Sequence, residues 1–182
     1  KEATILIGKE ARKNRVVRAM ENAAIIHLAS HGFKDGILLS GSTKEEGLLT
    51  MEEVQGLRLK RAEMVVLSAC NTFKGELRAD GLIGITRAFI AAGSPTVIAS
   101  LWRVEDGSTQ VMMKRLYEML LGTDGDHHRG DSGGVDVCYA LQQVMIEMIK
   151  GNNSFSVKDW APFLVYGLNI KSPFGRASKL HH

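Results

Sequence analysis

Short apolar runs alternate with amphipathic stretches along the whole chain. Residues 62–69 and 96–102 are almost continuously apolar, which is typical of strands buried on both faces of a sheet. Residues 108–121 and 135–150 instead carry apolar side chains at three- and four-residue spacing, which predicts helices packed along one face. This alternation predicts an α/β fold, with a mostly parallel central sheet and helices on both of its faces.

The same patterns place the other elements. We predict further strands at residues 3–7, 23–29, 36–40 and 162–168, and further helices at residues 13–21 and 80–92. Thr50 followed by Glu53 is the pattern of a capping box, so another helix is expected to begin there.

Residues 1–170 are expected to form one domain. Residues 171–182, which end in two histidines, are expected to be a tail with the remnant of a purification tag.

Composition narrows the class of protein. The 182 residues are 45% hydrophobic and 24% charged, as in an ordinary globular domain. The net charge of +3 does not demand a nucleic-acid partner, and no apolar run approaches the roughly 18 to 20 residues of a membrane span. Two cysteines do not make a disulfide framework, so we expect a reducing, cytoplasmic location.

Two predicted strands end in residues that could perform chemistry. One is followed by His31 and Gly32, and the other by Cys70. In parallel sheets, reactive groups gather beyond the carboxyl ends of the strands, where an imidazole can activate a thiol. The small Gly32 would let a backbone N–H approach a substrate carbonyl. A lone cysteine ending a buried strand is more often a packing residue, but the joint placement of the two groups favours chemistry.

Two motifs in the sequence resemble those of a known family. Residues 25–32 (IIHLASHG) and 67–72 (LSACNT) are similar to the histidine and cysteine motifs of CHAT domains, caspase-like modules associated with TPR repeats. The resemblance continues in order through residues 80–82, 87–89, 92–93, 100–106, 160–163 and Gly167. The interval from His31 to Cys70 is shorter than the roughly 50 residues found in caspases.

The resemblance implies a three-layer caspase–hemoglobinase-like fold and a cysteine endopeptidase of the separase, gingipain and caspase clan. Carried over by motif, Cys70 is the nucleophile and His31 the catalytic histidine, and the backbone N–H groups of Gly32 and Cys70 hold the oxyanion. This chemistry implies no cofactor and no metal. Ser30 stands where the family more often has Thr. The family fold usually begins with another strand and helix before residues 3–7, so we expect this domain to be incomplete at its N-terminus.

The resemblance also implies a specificity pocket for the side chain that precedes the scissile bond. Its candidate residues are Ser68, two positions before the nucleophile, and Trp102, Val104 and Asp106, after the next strand. In an extended backbone the last three share one side, and an acid there favours a substrate Lys or Arg. The alternative is that Asp106 caps the following helix.

The expected partners are a protein or peptide substrate and a TPR-type regulatory region in the parent protein. A strand at residues 3–7 would also leave an exposed edge, for which we expect a pairing strand or a second copy of the chain. The alternative function is a non-catalytic CHAT-like interaction module of a larger repeat-containing scaffold. The intact His31 and Cys70 favour the enzyme.

Several other features favour ordinary structural roles. His27 is expected to be a hydrogen-bonded core histidine, with a supporting role near the site as the alternative. His127 and His128 suit a solvated loop better than a metal site, and Cys138 is interpreted as structural. The basic residues of the first helix are expected to form a solvated face, with an acidic partner or nucleic acid as the alternative. They are Lys9, Arg12, Lys13, Arg15 and Arg18.

Overall fold

A four-stranded sheet lies at the centre of this computed structural model, which describes residues 3–33, 35–68, 70–71, 79–102, 104–123, 135–151 and 155–174. In spatial order its strands are β1 (Ile25–Leu28), β5 (Met64–Leu67), β7 (Thr96–Ser100) and β8 (Phe163–Gly167). The first three are parallel, and β8 is antiparallel to β7. The predicted, mostly parallel central sheet is therefore confirmed.

Helices cover both faces of this sheet. One face carries α1 (Lys13–Met20), α3 (Met51–Gln55) and α4 (Ala79–Ala91), and the other carries α5 (Asp106–Leu121) and α6 (Val137–Lys150). Two short helices, α2 (Lys44–Gly47) and α7 (Val157–Trp160), and a 3₁₀-helix at Gly8–Glu10 complete the set seen in the described ranges. None of the helices described is both long and apolar enough to cross a membrane.

Each central strand contributes to two separate hydrophobic cores. Val65 and Leu67 of β5 pack with α1 and α4, whereas Met64 and Val66 of the same strand pack with α5 and α6. All four residues are buried. Since successive side chains of a strand point to opposite faces, a continuously apolar strand fills both cores at once.

A second sheet extends the carboxyl end of the first. Its order is β4 (Leu48–Thr50), β3 (Gly36–Leu38), β2 (His31–Phe33) and β6 (Cys70–Asn71). Strand β2 runs parallel to β6 and antiparallel to β3. A Cβ atom on Gly36 would lie 2.1 Å from the carbonyl oxygen of Leu49, so only glycine allows β3 and β4 to approach this closely.

The capping box predicted at Thr50 is present. The Thr50 hydroxyl accepts a hydrogen bond from the Glu53 backbone N–H, and the Glu53 carboxylate accepts one from the Thr50 N–H. These two bonds satisfy donors that the first turn of a helix leaves open. They fix the start of α3 directly after β4.

The strand predicted at residues 3–7 is wrong. This segment belongs to no strand, and Ile5 and Ile7 are 78% and 72% exposed, whereas Leu6 packs against the core beside α1. A strand needs a neighbouring backbone to bond with, and the described residues offer this segment none. A short apolar run alone therefore predicted a strand that the structure does not have.

Packing continues past residue 170, where the predicted domain boundary lies. Ser172 is buried, and its hydroxyl donates a hydrogen bond of 2.6 Å to the carbonyl oxygen of Leu120. Phe174 lies edge-on against the ring of Tyr117, with 6.4 Å between the ring centroids. Residues 171–174 therefore pack against α5, and residues 175–182 lie outside the described ranges.

We expect Phe89→Ala to lower the free energy of unfolding by about 3–5 kcal/mol, because its side chain is fully buried between α4 and the sheet. The neighbouring Ile90 is 37% exposed, so Ile90→Ala should cost less than about 1 kcal/mol. Urea denaturation of both variants measures the difference. Equal losses would contradict this account of the core.

Candidate functional site

The register of the strands places His31 opposite Cys70. In the β1–β5 pair, Ile25 lies opposite Met64, and in the β2–β6 pair His31 lies opposite Cys70. The numbering offset is the same in both pairs, so the two chain segments keep one register across the break between the sheets. Neighbouring strands lie about 4.8 Å apart, so the His31 and Cys70 backbones are strand neighbours beyond the carboxyl end of the central sheet.

His31 is the first residue of β2, and its side chain is exposed. Gly32 follows it and lies opposite Asn71 on one side and Ile37 of β3 on the other. The sequence placed these residues directly after a predicted strand, and the structure puts them in a short strand of their own. The side chain of Cys70 lies outside the described part of the structure. The roles of His31 and Cys70, and the oxyanion role of the Gly32 and Cys70 amides, therefore stay predictions.

The Ser30 hydroxyl fixes the chain just before His31. It donates a hydrogen bond to the carbonyl oxygen of Leu38 in β3. This bond ties the entry of β2 to its antiparallel neighbour and so restrains the backbone that presents His31. A threonine at this position carries a hydroxyl that could make the same bond.

His27 occupies the end of β1 and bonds through both ring nitrogens. Its Nε2 lies 2.6 Å from Ser68 Oγ, and its Nδ1 lies 3.1 Å from the Tyr117 hydroxyl on α5. The residue keeps an exposed edge instead of lying in the core, which corrects the sequence expectation. Protein packed around the ring still desolvates it, and this burial lowers the pKa of His27.

Sequence reasoning missed Tyr117 and Phe174 as neighbours of this site. Tyr117 is 90 residues from His27, and its ring lies 5.7 Å from the His27 ring between centroids. Burial raises the pKa of Tyr117, so its hydroxyl keeps its proton. Neither aromatic residue carries a motif, and only the packing of α5 and the C-terminal segment brings them to the end of β1.

The other candidate pocket residues lie in three different environments. Trp102 donates from Nε1 to the Lys158 carbonyl oxygen over 3.1 Å. Val104 is 3% exposed and packs into the core beside α5. Asp106 is exposed and is the first residue of α5, so the alternative that Asp106 is the N-cap residue is wrong; Glu105 holds that position and makes no capping bond with its side chain. The pocket assignment of these residues, and of Ser68, stays a prediction.

The basic face of α1 is partly neutralised by acidic neighbours. Lys13 pairs with Glu53 at 2.8 Å and also donates to the Leu48 carbonyl oxygen, and Arg15 pairs with Glu10. These bonds use the charges to join α1 to neighbouring structure. They favour the solvated face that the sequence predicted over a nucleic-acid surface.

The second cysteine and the pair of adjacent histidines are not part of the candidate site. Cys138 is half-buried in the first turn of α6, where burial and the adjacent Asp136 carboxylate raise the pKa of its thiol and so disfavour the reactive thiolate. His127 and His128 lie outside the described residues. Across the ranges that are described, no three His, Cys, Asp or Glu side chains converge as metal ligands would.

Comparison with known proteins gives a family and a fold. The family model described as the CHAT domain matches residues 1–168. Tetratricopeptide repeat protein 28 of Mus musculus and that of Homo sapiens are each 26% identical to this chain over 207 aligned residues. Each match covers 91% of this chain and 8% of the relative, so the chain spans less than a tenth of the length of these proteins.

Two crystal structures of the Saccharomyces cerevisiae separase–securin complex contain a chain with the same fold. The TM-scores are 0.60 and 0.57, at 19% and 20% identity. The superposed part is 89% of this chain in both cases, and 10% and 9% of the matched chain. The caspase-like fold predicted from the motifs is thereby confirmed.

We expect Ser30→Ala to lower the free energy of unfolding by about 0.5–1.5 kcal/mol, because the hydrogen bond to Leu38 is lost. Ser30→Thr should retain most of that stability. Ser42→Ala is the matched control, since Ser42 is exposed and its loss should cost almost nothing. Chemical denaturation measures all three. A Ser30→Ala variant as stable as Ser42→Ala would contradict the restraint.

His27 should contribute to the pH dependence of stability. Its folded pKa lies below the ordinary value of 6.5, so the unfolded chain takes up a proton first as the pH falls. Its stabilising contribution is therefore complete above pH 6.5 and is lost as the pH falls from there to the folded pKa. We expect His27→Gln to flatten this acid-side loss, measured from denaturation midpoints between about pH 7.5 and 5. Parallel pH profiles for the two proteins would disprove it.

Proposed function

Because this chain belongs to the CHAT domain family, we propose that it is a cysteine endopeptidase domain that hydrolyses peptide bonds in proteins. In this proposal Cys70 is the nucleophile and His31 the proton-transfer group. The observation that carries it is the β2–β6 register, in which these two residues lie opposite each other.

The position of the pair supports this chemistry. Both residues follow strands of the central sheet at its carboxyl end, where parallel sheets collect their reactive groups. The exposed His31 side chain is open to a bound peptide. An imidazole on the neighbouring strand favours the thiolate form of a cysteine, which is the nucleophilic form.

The proposed reaction has two steps. The Cys70 thiolate attacks the carbonyl carbon of the scissile bond, the carbonyl oxygen becomes an oxyanion, and the amine leaves with a proton from His31. Water then attacks the resulting thioester and gives a proton to His31, and the acid product leaves as the thiolate reforms. The backbone N–H groups of Gly32 and Cys70 are the proposed oxyanion donors. Thiolate, imidazole and amides supply all the groups that these steps need.

The larger context is part of the proposal. The relatives are named for tetratricopeptide repeats, and this chain matches 8% of their length. We therefore propose that the domain works beside a repeat region that presents substrates or controls access to the site. A cytoplasmic location follows as a proposal from the presence of only two cysteines.

A non-catalytic interaction module is the second candidate function. The names of the relatives favour it, because they describe repeats and not a peptidase. In that case the fold would be retained as a binding surface, and the His31–Cys70 register would be a remnant of an ancestral site. The two functions differ in whether Cys70 reacts with a peptide.

We expect Cys70→Ala to lower peptide hydrolysis by at least about a thousandfold without a comparable loss of stability, because the nucleophile is gone. His31→Ala should lower it by about 10²–10⁴-fold, since the leaving amine loses its proton donor. The measurement is cleavage of a peptide library, followed by mass spectrometry, with thermal unfolding in parallel.

Cys138→Ala is the matched control, because it removes the other cysteine of the chain and should leave cleavage unchanged. Full activity in Cys70→Ala would show that the assignment is wrong. Protein that binds peptides but cleaves none, with a Cys70 that no peptidyl electrophile labels, would favour the interaction module.

A further inference from the structure

Strand β8 lies at one end of the central sheet and is paired on one side only. It bonds to β7, and within the described ranges no other strand lies against it. At one end of the pair the Leu101 N–H donates to the Pro162 carbonyl oxygen over 2.9 Å. At the other end the Leu168 N–H donates to the Pro95 carbonyl oxygen over 2.8 Å. These two bonds fix which backbone groups of β8 face β7.

The backbone groups of every second residue of β8 point away from the sheet. In an antiparallel pair, residues that bond to the neighbouring strand alternate with residues that do not. The bonds at Pro162 and Leu168 place the even-numbered residues of β8 in the first class. The N–H and C=O groups of Phe163, Val165 and Gly167 therefore form an outward row, and they have no partner among the described residues.

The outer edge of the second sheet, at β4, is instead closed by charged side chains. Its outward carbonyl at Leu48 accepts a hydrogen bond of 3.0 Å from Lys13 Nζ, and its outward N–H at Thr50 donates to the Glu53 carboxylate over 2.8 Å. Folded proteins commonly protect an edge strand with charges or with proline. Residues 163–167 (FLVYG) contain neither, so β8 keeps an edge that can accept another strand.

The side chains beside this open edge are apolar. Tyr166 is half-buried and packs on the core that lies under α4. Leu164 lies on the same face of β8 by alternation and is 41% exposed. Ile90 of α4 lies next to the end of β8, because a Cβ atom built on Gly167 would be 3.5 Å from Ile90 Cδ1. An apolar surface thus continues from α4 across β8 to its open edge.

The edge of β8 is complementary to itself. A twofold rotation about an axis perpendicular to the sheet, next to Val165, places a second β8 antiparallel to the first. The two Val165 residues then exchange both hydrogen bonds, and Phe163 of each copy does the same with Gly167 of the other. Leu164 lies opposite Tyr166 of the second copy, at the positions where cross-strand side chains are closest. Every outward N–H gains an outward carbonyl, and no charge of β8 is buried.

We propose that β8 is a dimerisation surface, at which two copies of this chain join their central sheets into one continuous sheet. The occupant is a second copy because the outward row is symmetric about Val165, so pairing centred there uses all of its groups. This surface replaces the pairing expected at residues 3–7, which form no strand. It goes beyond the proposed function, since it does not depend on whether Cys70 cleaves peptides.

The first test measures association of the 182-residue chain by sedimentation velocity. A single pair of short strands is a small interface, so we expect a weak dimer whose fraction rises between about 5 and 500 μM protein. Leu164→Lys should raise the dimer dissociation constant at least about tenfold, because a charge replaces the apolar partner of Tyr166. Val165→Pro should abolish the dimer, because it removes the central outward N–H and leaves the bonds to β7 in place.

Ile5→Lys is the matched control, because it makes a similar change at an apolar side chain that is 78% exposed and lies in no strand. It should leave the dissociation constant unchanged. Thermal unfolding checks that each variant is folded, and Leu164→Lys decides the test if Val165→Pro does not fold. A chain that stays monomeric throughout, or a dimer that Ile5→Lys weakens and Leu164→Lys does not, would overturn the proposal.

The second test examines the register by cross-linking. Val165→Cys, in a chain that also carries Cys70→Ala and Cys138→Ala, should form a disulfide-linked dimer with oxidised glutathione. The Cα atoms of such a hydrogen-bonded pair lie about 5.5 Å apart, which a disulfide can span. Leu168→Cys in the same background should stay mostly unlinked, because the two copies of this residue would lie roughly 20 Å apart. Equal linking of the two variants would contradict the pairing centred on Val165.

Discussion

Backbone hydrogen bonds between two short segments of chain keep one register from the middle of the central sheet to its carboxyl end. Ile25 pairs with Met64 at the start of this ladder, and His31 pairs with Cys70 at its end. A slip by one residue would move every side chain of a segment to the other face of the sheet. The juxtaposition of the two reactive residues thus depends on the same ladder that organises the fold.

Two hydrophobic cores enforce this register. Strand β5 is buried on both faces, and its alternate residues are committed to helices α1 and α4 or to helices α5 and α6. Any shift would expose apolar area on both faces at once, at a cost of about 25 cal/mol per Å². The second sheet adds a local restraint through Ser30, which binds β3 immediately before His31.

Polar surroundings of the site come from distant parts of the chain. Strand β1 supplies His27, helix α5 supplies the Tyr117 that bonds to it, and the C-terminal segment supplies the Phe174 that packs on the Tyr117 ring. In the sequence, these residues cannot be told apart from ordinary packing residues. Their effect is to desolvate the His27 imidazole and to bond its Nδ1 to the Tyr117 hydroxyl.

The sequence by itself determined the fold class, the central strands β1, β5, β7 and β8, the long helices and the capping box at Thr50, because each has a local periodic or capping pattern. It also contains the two motifs in which His31 and Cys70 stand. It failed at residues 3–7, where a short apolar run predicted a strand that finds no pairing partner among the described residues. It also assigned His27 to the core.

Only the tertiary structure decided which residues meet. Strand register, the bonds of His27 to Ser68 and Tyr117, and the different environments of Trp102, Val104 and Asp106 depend on contacts between residues far apart in the chain. Local patterns report how a segment folds, since they reflect its own backbone and burial preferences. They do not report which segments become neighbours, because that choice is made by the free energy of packing the whole chain.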